Sequence, residues 1–250
     1  MSDVYGAETE SNRISELLDI TTGCAISVVG CGGKTSLIEL IANLNSSKKV
    51  LVSPTTKTFP MTSDDVMLCD TLEKCKNHKP QSGIQCLGQH NERNGKLEAL
   101  PEQMLNKLVP LYDIVLMEAD GSRWLPCKGW LDYEPVINKL STHTLGVVTM
   151  NALGKPATEE IVHHLLEFLS LTGLNENEII TEQVLNDMVN LPGGMFKRSA
   201  GHRYLLVNQV EDEVTTRIAE TFLKSINDKY PGRFKRLIYG SVRNNTWQEV

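Results

Sequence analysis

The residues best suited to chemistry lie in Gly30-Cys31-Gly32-Gly33-Lys34-Thr35-Ser36, three glycines followed by a lysine and two hydroxyls. Glycines let a backbone approach an anion and adopt positive φ. Successive N–H groups at a helix N-terminus point at that anion, and the helix dipole favours negative charge there. In such a loop Gly30 through Ser36 cradle the phosphates of a nucleotide, Lys34 reaches the terminal phosphate and the Thr35 hydroxyl ligates Mg²⁺. The plain alternative is a tight turn ending in a surface lysine. The full G-x-x-x-x-G-K-[ST] pattern requires glycine at position 28, where Val28 stands, so the loop is a shortened form.

A second constellation lies downstream. Glu118 and Asp120 follow the apolar run DIVLM at i, i+2, a spacing that sends both side chains to one side of a strand. Ligands bind at the carboxyl ends of strands in open α/β sheets. One of the two acids would then hold Mg²⁺ and the other would orient or deprotonate a nucleophile; otherwise they are solvated loop acids. Arg123 and Lys128, just beyond, are candidates for phosphate or acidic-substrate contacts, or else exposed loop residues. Thr55, Thr56 and Lys57 follow another apolar run and either meet a phosphate or metal or cap a turn.

Other groupings are weaker. Cys75-x2-His78 and Cys86-x3-His90 are spaced like two halves of a zinc site, with a short separation between them. The expectation there is no zinc. Cys31 beside a helix N-terminus is expected to have a lowered pKa, although its first reading is a small residue filling the loop. His163 falls on a predicted helix behind Glu159 and Glu160 and serves either a helix-face hydrogen bond or catalysis. Met195 and Phe196 form a lid or a packed turn. The basic residues Lys229, Arg233, Lys235, Arg236 and Arg243 read as a solvated surface.

These residues need a scaffold. Apolar runs predict strands at 24–29, 50–52, 113–117, 145–150, 204–207 and 236–239, the first rich in β-branched residues. Helical spacing predicts helices at 14–18, 35–44, 103–109, 159–171, 182–189 and 213–226. Residues 61–100 are mixed, with short helix and strand candidates, and residues 1–11 are expected to fray. Strands apolar on both faces, alternating with helices, call for a mostly parallel sheet flanked by helices. The expected fold is α/β and P-loop NTPase-like, a single domain over 1–250 with a mostly helical insert at about 151–200.

Composition narrows the function. The chain has 250 residues, of which 40% are hydrophobic and 22% charged, and a formal net charge of -6. The first 23 residues contain five acids and one base, so they supply -4 of that charge. A nucleic-acid partner is not expected. No apolar run reaches the roughly 18 residues of a membrane span, and the acidic N-terminus lacks the pattern of a signal peptide. Six cysteines read as reduced thiols, and the expected location is cytoplasmic.

Several blocks together resemble the YqeC family, accessory proteins of selenium-dependent molybdenum hydroxylases: VVGCGGKTSL, LVSPTTKTFP, VLMEADGSRWLPCKGW with Glu134-Pro135, Leu153-Gly154-Lys155-Pro156, Glu160-Ile161-Val162-His163, Gly193–Lys197 and LLVNQVED. They run in the family's order from about residue 24 to 212. The resemblance implies a nucleotide-binding role in molybdenum cofactor maturation, with that cofactor or a molybdenum hydroxylase as partner. Asn208 matches the family's late base-reading asparagine. The Asn-Lys-x-Asp pattern is broken here by Gln209 and Glu211, which leaves the preferred base open among ATP, GTP and CTP. His163-His164 replaces the family's His-Arg.

The functional expectation is Mg²⁺-dependent nucleotide binding, with hydrolysis or phosphotransfer in which Lys34, Glu118 and Asp120 act on the reacting phosphate. An ATP-dependent ligase or small-molecule kinase is a second reading, and a non-catalytic, nucleotide-gated cofactor carrier a third.

Overall fold

The computed structural model describes residues 12–61 and 63–250; the expected fraying of residues 1–11 lies outside them. In chain order the elements begin α1 (Arg13–Leu17), β1 (Cys24–Gly30), α2 (Lys34–Leu44), β2 (Lys49–Pro54), β3 (Lys57–Thr58) and β4 (Val66–Cys69). There follow α3 (Leu72–Asn77), β5 (Gly83–Leu87), β6 (Gln89–Asn91), β7 (Lys96–Glu98), α4 (Glu102–Leu108), β8 (Ile114–Glu118) and β9 (Cys127–Lys128). The chain continues through β10 (His143–Thr149), β11 (Val162–His163), α5 (Leu165–Thr172) and α6 (Glu182–Asn190). It closes with β12 (His202–Asn208), α7 (Glu213–Lys229), β13 (Arg236–Ser241) and β14 (Thr246–Glu249).

β1 is buried at every residue and lies in the middle of the main sheet. Among the described residues nine strands join that sheet in the order β14-β13-β12-β10-β1-β8-β2-β5-β4. All neighbours are parallel except β13 and β14. From β1 the chain crosses over β8's place to β2, returns to β8, and passes to β10 on the other side. Such a reversal opens a crevice at the carboxyl ends of the central strands. This is the α/β architecture of P-loop NTPase-like proteins, as expected.

Both faces are covered, which is why the central strands read as apolar runs. On one face Leu37 and Ile41 of α2, with Ile14 and Leu17 of α1, pack on Ile26, Val28, Leu116 and Val147. On the other face, Phe168, Leu185 and Phe222 from α5, α6 and α7 gather with Val29, Val148 and Leu205. A separate group, including Leu105 of α4, gathers with Leu51, Val115 and Met117. Between these two groups the buried hydroxyls of Ser27 and Ser141 share a hydrogen bond of 2.7 Å. α7 is the longest helix and starts on a capping box, Asp212 accepting from Thr215 N–H.

Two differences from expectation are local. The helix predicted over 159–171 begins at Leu165, because Val162 and His163 are drawn into a parallel pair with Cys127 and Lys128. The strand at 236–241 is followed by an antiparallel edge strand, β14, which burial of Trp247 fastens to the α2 side. Residues 61–100 supply β4, α3, β5, β6 and β7. Within 151–200 the α-helices are α5 and α6, and Met195 and Phe196 pack as a buried turn against Gly146 and Phe234. Lys235 and Arg236 both pair with Asp19. Among the described residues no helix is long and apolar enough to cross a membrane.

Candidate functional site

Three residues, Cys31, Gly32 and Gly33, join β1 to α2. Gly30, Gly32 and Gly33 have φ of +100°, +93° and +102°. A β-carbon at Gly30 would lie 2.2 Å from the Val147 carbonyl oxygen, and one at Gly33 would lie 2.7 Å from Asn208 Nδ2. The turn therefore requires glycine for both dihedral and space. Val28, where the longer motif has glycine, is an ordinary strand residue paired with Glu118 and Leu145. The strand simply continues two residues further before the loop opens.

Beneath the loop lies a buried charge network. Asp120 is fully buried; both its oxygens accept from Gly30 N–H at 3.0 Å, and Oδ2 accepts from Trp130 Nε1 at 2.6 Å. Its carboxylate lies 3.2 Å from Lys34 Nζ and 3.6 Å from Lys128 Nζ. Burial raises the Asp120 pKa, but Lys34, Lys128, the Gly30 amide and Trp130 together hold it below the ordinary carboxylate value. For Lys34 burial works against the charge, and Asp120 and Glu118 outweigh it, so its pKa is raised. Lys34 Nζ also donates to the Gly30 carbonyl at 2.5 Å. Asp120 thus grips the loop from behind, a position that makes it a positioning residue rather than a ligand facing solvent.

Glu118 occupies the front. Its Oε2 accepts from Thr35 Oγ1 at 2.9 Å and from Thr58 Oγ1 at 2.7 Å, and Oε1 lies 3.8 Å from Lys34 Nζ. A small cavity beside it is lined by Thr35, Glu39, Ser53, Thr58 and Phe59. Ser53 Oγ there is buried without a hydrogen-bond partner among the described residues. Hydroxyl and carboxylate oxygens with an unsatisfied hydroxyl beside them suit a hard divalent cation such as Mg²⁺. Thr58 closes the Thr55-Thr56-Lys57-Thr58 cluster, whose threonines the sequence offers as phosphate or metal contacts, and its side chain is the one in that cluster that meets the Glu118 carboxylate.

The remaining candidates separate. Thr55 Oγ1 donates to the Val136 and Glu118 carbonyls, Thr56 Oγ1 is buried with no partner among the described residues, and Lys57 is exposed and paired with Glu98. Arg123 is exposed. Lys128 is not an exposed loop residue: its side chain is fully buried, donating to the Gly121 carbonyl and paired with Glu134 at 3.1 Å. Glu134 and Trp130 stand in the sequence only as parts of the family blocks, with no role attached, because their importance comes from meeting Asp120 and Lys128. His163 sits in β11, not on a helix, with its ring 3.8 Å from that of His164. Burial, His164, Lys128 and Arg123 lower its pKa to about 4, so it is neutral at pH 7. Asn208 donates to the Gly32 carbonyl at 2.7 Å and accepts from Val242 N–H at 3.0 Å. One end of its amide anchors the loop and the other the chain after β13. Ser36 follows Thr35 on the exposed side of α2.

Cysteine readings change. Cys31 is buried, and desolvation pushes its thiol up to about 12, against the lowering expected from the helix end. Cys75 and Cys86 belong to core groups on opposite faces of the sheet, so the two zinc-like halves do not converge. Among the described residues no group of three or more His, Cys, Asp or Glu is arranged to hold a metal ion.

A family model described as YqeC protein matches residues 26–166. The chain belongs to the YqeC family. A protein of Escherichia coli (strain K12) named "Uncharacterized protein YqeC" is 35% identical over 178 residues, covering 69% of this chain and 70% of its own. The YqeC match runs from β1 into α5. It takes in the glycine loop, Glu118, Asp120, Lys128 and Glu134, and ends before Asn208.

Proposed function

We propose that the glycine loop binds a nucleoside triphosphate with Mg²⁺ and that the protein hydrolyses it or transfers its terminal phosphate. ATP and GTP are the first candidates and CTP a further one. The observation that carries this reading is the convergence of Lys34 and Thr35, from the first turn of α2, on Glu118 at the end of β8. Phosphoryl transfer consists mainly of positioning and charge neutralisation, and these are the groups it needs. The Gly30 and Cys31 amides are already bound to Asp120 and to the Val147 carbonyl, so the amides from Gly32 to Thr35, at the N-terminus of α2, are the ones that would meet the phosphates. Lys34 Nζ exchanges the Gly30 carbonyl for a phosphate oxygen while Asp120 keeps it charged. Thr35 and Glu118 are the residues that would hold Mg²⁺, with Ser53 beside them; the ion would supply charge neutralisation to the phosphates. Glu118, which is buried but lines the cavity, rather than the fully enclosed Asp120, is the acid that would meet water or an acceptor.

The biological setting, molybdenum cofactor maturation for selenium-dependent hydroxylases, rests on the family resemblance alone. A molybdenum hydroxylase or its cofactor would then be the partner, in the cytoplasm.

The test is calorimetric titration of wild type and Lys34→Ala with ATP, GTP and CTP, each with Mg²⁺, followed by phosphate-release assays. Binding by wild type, lost in a folded Lys34→Ala, supports the reading; undiminished binding by the variant overturns it. Release by the protein alone marks an NTPase, release only with a co-substrate marks a ligase or kinase, and binding without release marks a nucleotide-gated carrier.

A further inference from the structure

At the carboxyl edge of the sheet Phe59 and Trp124 stack with ring centroids 5.9 Å apart and planes within 5°. Trp124 is 87% exposed, so Phe59 covers little of the indole. Large aromatic side chains are normally mostly buried. The backbone holds this one out: Arg123 and Trp124 have φ of +50° and +62°, two consecutive residues in the left-handed region that β-carbon crowding disfavours. Strain of this kind gathers at ligand sites. Lys96 Nζ lies 4.9 Å from the Phe59 centroid, and Arg123, next to Trp124 in the chain, is exposed with no hydrogen bond or ion pair among the described residues.

The stack borders the proposed phosphate corner, since Phe59 lines the same small cavity as Thr35, Ser53 and Glu118. Thr35 and Glu118, which would hold the cation, lie on the β8 side of the loop, whereas Asn208 stands at the end of β12 on the other side of β1. A base on the Asn208 side would lie away from Trp124 and leave the aromatic pair beside the phosphate corner.

We propose that Trp124 and Phe59 form the seat of a second ligand, a planar heteroaromatic ring carrying a phosphate monoester. The ring stacks on the open face of Trp124, and Arg123 and Lys96 meet the phosphate. The position of this ligand beside a terminal phosphate rests on the reading above; the seat itself does not.

Trp130 and Trp247 are buried, so quenching that disappears in Trp124→Leu reports on Trp124. The protein is titrated with AMP, GMP, CMP and riboflavin 5′-phosphate, with and without a non-hydrolysable triphosphate and Mg²⁺. Saturable quenching by at least one probe is expected. By calorimetry Trp124→Leu should bind that probe about tenfold more weakly, the scale of losing one stacking partner. Arg123→Gln should weaken the phosphorylated probe but not its parent nucleoside. Quenching by none of the probes, or equal probe affinity in Trp124→Leu, overturns the proposal. So does a tenfold loss of triphosphate affinity in Trp124→Leu, because the stack would then hold the triphosphate's own base. Probe quenching without any triphosphate binding leaves the seat standing and removes the nucleotide reading. Lys34-dependent triphosphate binding without quenching does the reverse.

Discussion

Asp120 links the loop to its surroundings more tightly than any other side chain at the site. It sits between two buried lysines and holds a loop amide and an indole N–H. Removing its charge leaves Lys34 and Lys128 with only Glu118 and Glu134, so Asp120→Asn should cost about 3–5 kcal/mol, read from urea unfolding at pH 7. Because the folded pKa is depressed, the stabilisation is complete above the ordinary carboxylate value and disappears as pH falls through the folded value. Stability measured against pH should therefore fall more steeply on acidification in wild type than in the variant; parallel curves would contradict the network. Sequence pointed to Asp120 by its distance from DIVLM, and it reached the right neighbourhood. What it missed was burial. Lys128 looks like a loop base in isolation, and only folding brings Glu134 and Asp120 to it.

At the scale of elements, β1, β2, β8, β10 and β12 were legible as apolar runs because both sheet faces are covered. The mis-set helix at 159–171 shows the limit. Its apolar spacing is helical, yet the backbone of Val162 and His163 finds a better partner in β9, and tertiary pairing overrides local preference. β14 was missed for a related reason: of its four residues only Trp247 is buried. Asn208 ties two elements, the loop after β1 and the residue after β13. Asn208→Ala leaves a carbonyl and an N–H unpaired and should destabilise by about 1–3 kcal/mol. Triphosphate affinity should fall with it, since Gly32 loses its anchor. Both effects are measurable by unfolding and calorimetry, and unchanged stability would show that water replaces the amide.

Across the whole molecule, two apolar groups on one face of the sheet meet at the Ser27–Ser141 hydrogen bond. Either serine changed alone to alanine should cost about 1 kcal/mol or more by orphaning its partner, whereas the double change should cost less than the two singles added. A double-mutant cycle by thermal or urea unfolding checks this; strict additivity would mean that the hydroxyls act independently. The placement of β1 has a further consequence. Its first neighbour in space, β8, brings Asp120 to Gly30 from 90 residues later in the chain, and the contact of Ala25 with Thr142 spans 117. Pairings so distant in sequence form slowly, since a long loop must close before they gain anything. During synthesis the glycine loop therefore waits without its fold until 90 further residues have left the ribosome, so a nascent chain halted before β8 carries the motif without the site.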